Sequence, residues 1–222
     1  MPNGARRAAR PRPAAGPPRP GAAPGELEIV QRFVNTLDIE AGTDELDSPA
    51  ALTAWLERQG LGGGPPPAVE QAPRDAADAG VTAADLRRAV ALREALRAVL
   101  RSHASATAGG ASGAVAGGGQ AGGELPGIAA ALRTRLEVSD EGRVAVVAAG
   151  SGAAAALARI LLIVAEAGSN GTWSRLKACS AADCQWAFYD RSPTRTGCWC
   201  SMRVCGSRSK SRAYRRARRS AS

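Results

Sequence analysis

The sequence predicts a mainly α protein, α+β through one small β-hairpin, in which a helical N-terminal domain precedes a small treble-clef-like module built on four cysteines. Three observations carry this. Apolar residues recur at three- and four-residue spacing through much of residues 26–170. Two short strand-like runs flank a turn at residues 139–142. All five cysteines fall between Cys179 and Cys205. The implied organisation is a basic Pro/Ala-rich leader over 1–25, a helical domain over 26–170 and a cysteine-bearing module over 171–222.

The leader is Pro, Ala, Gly and Arg with almost nothing to bury, so disorder is expected there. From Glu26 the pattern changes: Leu27, Val30, Phe33, Val34 and Leu37 line one face of an amphipathic helix. Ser48-Pro49 signals a second helix, with Ser at the N-cap and Pro at the first helical position. That helix carries Ala51, Leu52, Trp55 and Leu56 and stops before Gly60, and the Gly/Pro run over 62–73 is a loop. Thr82, with Asp85 three residues on, caps a third helix. Leu86, Val90, Leu92, Leu96, Val99 and Leu100 form its apolar stripe, and Arg87, Arg88, Arg93, Glu94, Arg97 and Arg101 read as its wet face. Residues 104–123 read as a flexible Ala/Gly/Ser loop, with a short helix opening the stretch 125–132. Residues 135–138 and 143–148 make the hairpin. Residues 153–167 are an almost wholly apolar helix, the buried centre of the domain, ended by Gly168-Ser169-Asn170-Gly171.

The net charge of +9 is segregated. Residues 171–222 hold ten Arg and two Lys against two Asp, the leader holds five Arg and no acid, and 26–170 hold twelve Arg against eighteen acids. Two basic ends around an acidic middle point to a dedicated polyanion-binding module. No secretory signal is visible behind Arg6-Arg7, and the most apolar run is short for a bilayer and carries Arg159. A cytoplasmic, nucleoid-associated protein without a membrane partner is expected.

The cysteine spacing is Cys179-x4-Cys184-x15-Cys200-x4-Cys205. Two close pairs separated by a longer loop suit a tetrahedral Zn2+, each pair making one knuckle. Four thiolates leave no open coordination position, so one zinc ion would be structural. Cys198 reads as a free thiol, and an exchange of ligand role between Cys198 and Cys200 is the competing assignment. Trp186, Phe188, Tyr189 and Trp199 between the pairs read as the module's miniature core, and Asp190-Arg191-Ser192-Pro193 as a turn. After Cys205, Arg208, Arg212, Arg215, Arg216 and Arg219 fall on one helical stripe roughly 16 Å long. With Lys210, these are the candidate nucleic-acid contacts. Their mutual repulsion would be relieved by a phosphate backbone.

Several of these residues resemble a known family. Arg175-Leu176-Lys177, Phe188 with Asp190-Arg191-Ser192, Trp199-Cys200-Ser201-Met202, and Cys205-Gly206 followed by Arg208, Lys210 and Tyr214 resemble the CGNR zinc finger of bacterial regulators. Phe33-Val34-Asn35-Thr36, then Leu52, Trp55-Leu56, Gly60-Leu61 and residues 92–97, resemble the ABATE domain that accompanies that finger. The resemblance implies a stress-linked transcription regulator with a mostly helical N-terminal domain. Ser207 stands where the family has Asn; a serine still caps a following helix but lacks the amide's paired hydrogen bonds. Cys198 stands where a basic residue is more usual.

The leading expectation is therefore a zinc-dependent DNA-binding regulator whose N-terminal domain dimerises or senses a small-molecule effector. A zinc-dependent RNA-binding or protein-interaction module is the alternative. An enzyme is not expected: His103 is the single histidine and reads as a helix-end residue, and no phosphate-cradling loop or open metal position is visible. Asn35 and Trp55 enter as effector-site candidates through the resemblance alone, and each reads as a capping or core residue.

Overall fold

The computed structural model describes residues 21–62, 80–107 and 118–220. In chain order these form α1 (Leu27–Val34), β1 (Leu37–Asp38), β2 (Thr43–Asp44), α2 (Pro49–Arg58), α3 (Ala83–Thr107), α4 (Gly118–Ala130), β3 (Thr134–Val138), β4 (Val144–Ala148), α5 (Gly152–Ser169), β5 (Leu176–Ala178), β6 (Ala187–Tyr189) and α6 (Ser207–Ser220). The strands make three separate antiparallel pairs, β1–β2, β3–β4 and β5–β6. The fold is mainly helical, as expected. The Gly/Pro run at 62–73 lies outside the described residues save Gly62, as does most of the leader.

Local signals set several boundaries. Ser48 Oγ accepts from Ala51 N at 3.2 Å with Pro49 at the first helical position, so α2 starts where the sequence signals it. At α3, Thr82 N donates to Asp85 Oδ2 (3.0 Å) and Asp85 N donates to Thr82 Oγ1 (3.2 Å), a reciprocal capping box. The β3–β4 register pairs Thr134 with Ala148 and Val138 with Val144. Its turn closes through Gly142, whose φ of 75° suits glycine.

Three expectations are corrected. Leu37 is not helical but opens β1 opposite Asp44. Asn35 caps α1 and Thr36 Oγ1 turns back to Phe33 O (2.8 Å), so short polar side chains compete the helix away. Residues 104–107 and 118–123 are not loop: α3 runs to Thr107 and α4 begins at Gly118, while 108–117 lie outside the described residues. α4 contains Pro126 and several glycines, poor helix formers, but it packs along α3 with Leu125, Ile128 and Leu132 against the core. Tertiary burial overrides local propensity. The leader's last residues are docked, with Ala23 buried in the core and its N–H donating to Gln31 Oε1 at 2.7 Å.

The helical body is built on one large cluster. Val30, Phe33 and Val34 from α1, Leu52 and Trp55 from α2, Leu92, Leu96 and Leu100 from α3 and Leu157, Ile160 and Ile163 from α5 meet in it. Phe33 and Trp55 stack obliquely at 5.4 Å between centroids. By length and composition α5 would cross a bilayer, but its inner face, including Ala156, Leu157, Ile160 and Ile163, is spent on this core. Leu176, Ala178 and Ala187, from β5 and β6, belong to the same cluster. The strands that carry the first cysteine pair are thus built into the floor of the helical body.

The charged face expected on α3 is only partly wet. Arg87 and Arg88 are exposed, but Arg93 and Arg97 are 2% and 3% exposed. Arg93 makes a two-pronged contact with Asp44, Nη1 to Oδ1 at 2.7 Å and Nη2 to Oδ2 at 2.9 Å, and also reaches Glu94. That pair ties the β1–β2 hairpin to α3.

Candidate metal centre and basic helix

β5 delivers Cys179, a tight turn delivers Cys184, and β6 carries the chain away. Cys184 N and Gln185 N both donate to Ala181 O (3.0 Å each), and Cys179 N donates to Trp186 O (3.0 Å). Gln185 takes a positive φ of 50°, the kink that turns the chain back into β6. The second pair lies around a five-residue π-helical turn, Met202–Gly206. Ser201 Oγ accepts from Val204 N at 3.3 Å and caps it, and the turn runs into α6 without a break. Gly206 sits on its inner side, where a Cβ would come 2.6 Å from Met202 Sδ.

The four sulfurs of Cys179, Cys184, Cys200 and Cys205 lie within 4.8 Å of one another, and all four residues are buried. Sγ–Sγ distances are 3.6 Å for Cys184–Cys200 and 3.7 Å for Cys200–Cys205. Zn–S bonds of about 2.3 Å in a tetrahedron give an S–S edge of about 3.8 Å, whereas a disulfide would need about 2.05 Å. The donor set also fits electrostatically. Hydrogen bonds from Cys184 and Cys200 pull the Cys179 thiol far down, while Cys179 and Cys184 push Cys200 up and burial pushes Cys205 up. Ionising all four thiols together would need a cation at the centre. Cys198 stands outside the group, half-buried, with its thiol pushed up by burial and by nearby Cys179. Its carbonyl accepts from Ser180 N at 2.9 Å.

Ala181 and Phe188 are buried against the cysteines, with Trp186, Trp199 and Val204 partly so. Tyr189 instead packs on the main core, so the expected miniature core is shared out between two clusters. A second polar knot stabilises the long loop. Lys177, fully buried, donates to Asp190 Oδ2 (2.9 Å) and Gly197 O (3.1 Å). Asp190 also accepts from Ser192 N (3.0 Å) and Gly197 N (2.8 Å). Burial alone would raise the Asp190 carboxyl, but Lys177 and these donors hold it down at about 2. Arg175 Nη1 donates to the carbonyls of Asp190 and Ser192, both at 3.0 Å. These two cations of the basic module are therefore structural, which the charge count alone does not reveal.

Four side chains lock this region to the helical body. Asn35 Nδ2 donates to Ala187 O (2.9 Å) while Ala187 N donates to Asn35 Oδ1 (2.7 Å), so the amide pairs with β6 as another strand would. Gln31 Nε2 donates to the same carbonyl (3.2 Å), and Arg97 Nη1 reaches Gln185 O (3.2 Å). His103 is not a free helix end: α3 continues past it, its Nδ1 donates to Leu176 O (2.9 Å), and it meets Trp173 edge-on at 5.4 Å. Trp55 is core. A cleft of about 350 Å3 runs along this seam between Trp55 and Trp186, with Arg32, Arg58 and Glu45 at its margin.

α6 presents Arg208, Lys210, Arg212, Arg215, Arg216 and Arg219 along an exposed helix. The stripe is not wholly without acidic partners: Arg208 pairs with Glu40 (2.6 Å) and Arg212 with Asp183 (2.8 Å). On another face Arg218 lies 6.0 Å from the centroid of the Tyr214 ring. Ser207 does not cap α6, because it already has helical φ and ψ of −65° and −42°. Its hydroxyl donates to Met202 O at 3.3 Å, and Ser201 does the capping.

A family model for the CGNR zinc finger matches residues 175–219. A model for ABATE, described as "putative stress-induced transcription regulator", matches residues 27–169. The chain belongs to the ABATE family. No curated protein matches it. This ABATE protein carries a CGNR zinc finger with one structural zinc ion, for which the buried four-cysteine group is the fitting site. The ABATE match ends before the first strand of the finger, yet that strand's Leu176 and Ala178 lie in the core of the ABATE helices.

Proposed function

We propose that this protein regulates transcription by binding DNA through α6, with Cys179, Cys184, Cys200 and Cys205 as the zinc ligands. Zinc bound there supplies folding energy to the finger and offers no open position for chemistry. The observation that carries the reading is the continuity of Cys205, its π-helical turn and α6. A metal at Cys205 fixes the root of an exposed helix bearing five arginines on one stripe. Arginine forks match phosphate oxygens and guanine edges. Residues 26–170 act as the regulatory part, 171–222 as the binding part, and the site of action is the cytoplasmic nucleoid. The cleft between Trp55 and Trp186 touches both parts and suits an effector.

RNA is the second reading. Tyr214, 64% exposed amid the arginines, supports it by offering a stacking face. Cys184→Ser and Cys205→Ser should each abolish zinc binding, measured by metal analysis, and DNA binding, measured by fluorescence anisotropy on a genomic fragment library. DNA binding that survives zinc loss unchanged would move the activity to the tail alone. Preference for single-stranded RNA in competition would favour the second reading.

A further inference from the structure

The β3–β4 hairpin carries a face with no cover among the described residues. Leu136, Val138, Val144 and Val146 are 50–68% exposed. The register puts Leu136 opposite Val146 and Val138 opposite Val144, so all four share one side. Aliphatic side chains gathered this way on a two-stranded sheet mark an interaction surface.

The ladder's hydrogen-bond parity shows which edge is open. Ala149 N donates to Arg133 O and Ser139 N donates to Arg143 O, each between directly opposed residues. Bonded pairs alternate along an antiparallel ladder. Arg135 and Glu137 therefore turn their backbone groups toward β4, and Thr134, Leu136 and Val138 turn theirs outward. No backbone hydrogen bond to those three outward positions occurs among the described residues.

β3 reads Thr-Arg-Leu-Glu-Val, which is self-complementary about Leu136. We infer that a second copy of this chain pairs with it, β3 against β3, antiparallel and centred on Leu136. In that register the outward N–H and C=O of Leu136 bond to the same groups of the other copy. Arg135 falls opposite Glu137 of the second copy, and Glu137 opposite its Arg135, on one face. On the other face the four aliphatic residues of each copy join across the seam. The second edge, β4, offers no such choice of register: about Val146 it sets Ala145 against Val147. Hydrogen-bond parity and charge thus select the same centre. The seam joins two short strands, so a dimer that depends on concentration is expected rather than a permanent one. This inference does not depend on DNA binding. If both hold, the two-fold axis gives two α6 helices and an inverted-repeat target.

Sedimentation velocity of the zinc-loaded full chain, without nucleic acid, tests it. A concentration-dependent shift from 22.6 kDa to twice that mass is expected. Arg135→Glu or Glu137→Arg alone should weaken the dimer tenfold or more, about what two repulsive cross-strand pairs cost. The double variant Arg135→Glu/Glu137→Arg should restore it. Arg135 is exposed and Glu137 half-buried, and the two also pair with each other within the strand, so an unchanged circular dichroism spectrum verifies that each single variant still folds. A monomer at every concentration, or a dimer indifferent to both single reversals, overturns the inference.

Discussion

Arg93 and Arg97 lie one turn apart on α3 and hold together parts of the chain far from each other in sequence. Arg93 fastens Asp44, and Arg97 Nη2 donates to Val34 O at 2.7 Å, just where α1 ends. Burial disfavours the Asp44 carboxylate, but its hydrogen bonds to Arg93 and Leu46 N outweigh that and hold its pKa below the ordinary 3.8. A depressed carboxyl stabilises the fold above its unfolded pKa, and that contribution fades as pH falls below about 4. Arg93→Ala is expected to lower the unfolding free energy by about 2–3 kcal/mol at pH 7, because a buried partner is removed while Asp44 stays partly wet. Urea unfolding checks this, and the gap between variant and parent should narrow at pH 3. None of this was legible from periodicity. A charge on a helix is assigned to water by default, and the partner that reverses the assignment lies 49 residues away. The four clustered cysteines were legible because zinc geometry constrains spacing directly, whereas the Lys177–Asp190 knot follows no such rule.

At the scale of elements, caps were the readable signals. Ser48-Pro49 and Thr82–Asp85 both act as their chemistry dictates, because the partner N–H lies within one turn. Alternation likewise exposed β3–β4. The sequence shows a short helix from Leu125 but hides the start of α4, because its glycines argue against helix and packing on α3 decides it. The cap of α6 was misplaced by six residues. The π-helical turn adds a segment between the true cap, Ser201, and the helix that Ser207 was expected to open. α6 itself is burdened by like charges at i,i+4, such as Arg208 with Arg212 and Arg212 with Arg216. It therefore leans on the capped turn and the metal at its root. Ser201→Ala should raise amide exchange in the Met202–Gly206 turn and the start of α6 about fivefold, the effect of losing roughly 1 kcal/mol of cap. Ser207→Ala should leave it near the parent rate. Equal effects of the two substitutions would contradict this assignment of the cap.

Across the whole molecule, the finger and the ABATE helices share structure rather than merely adjoin. Leu176 and Ala178 sit in the helical core, Asn35 pairs with Ala187, His103 reaches β5 and Arg97 reaches the turn between β5 and β6. A ligand that shifted α1 or α3 would be felt at the first cysteine knuckle, and the second knuckle is the root of α6. The Arg208–Glu40 and Arg212–Asp183 pairs add a lighter tie, exposed enough to exchange for phosphate. The salt dependence of duplex DNA binding, measured on zinc-loaded and chelated protein, tests this account most directly. Five arginines each meeting a phosphate predict a log–log slope of about −4.5 for the zinc-loaded form, with binding collapsing on chelation. The same affinity and slope after chelation would contradict it, because the basic tail would then bind without the metal centre that is held to present it.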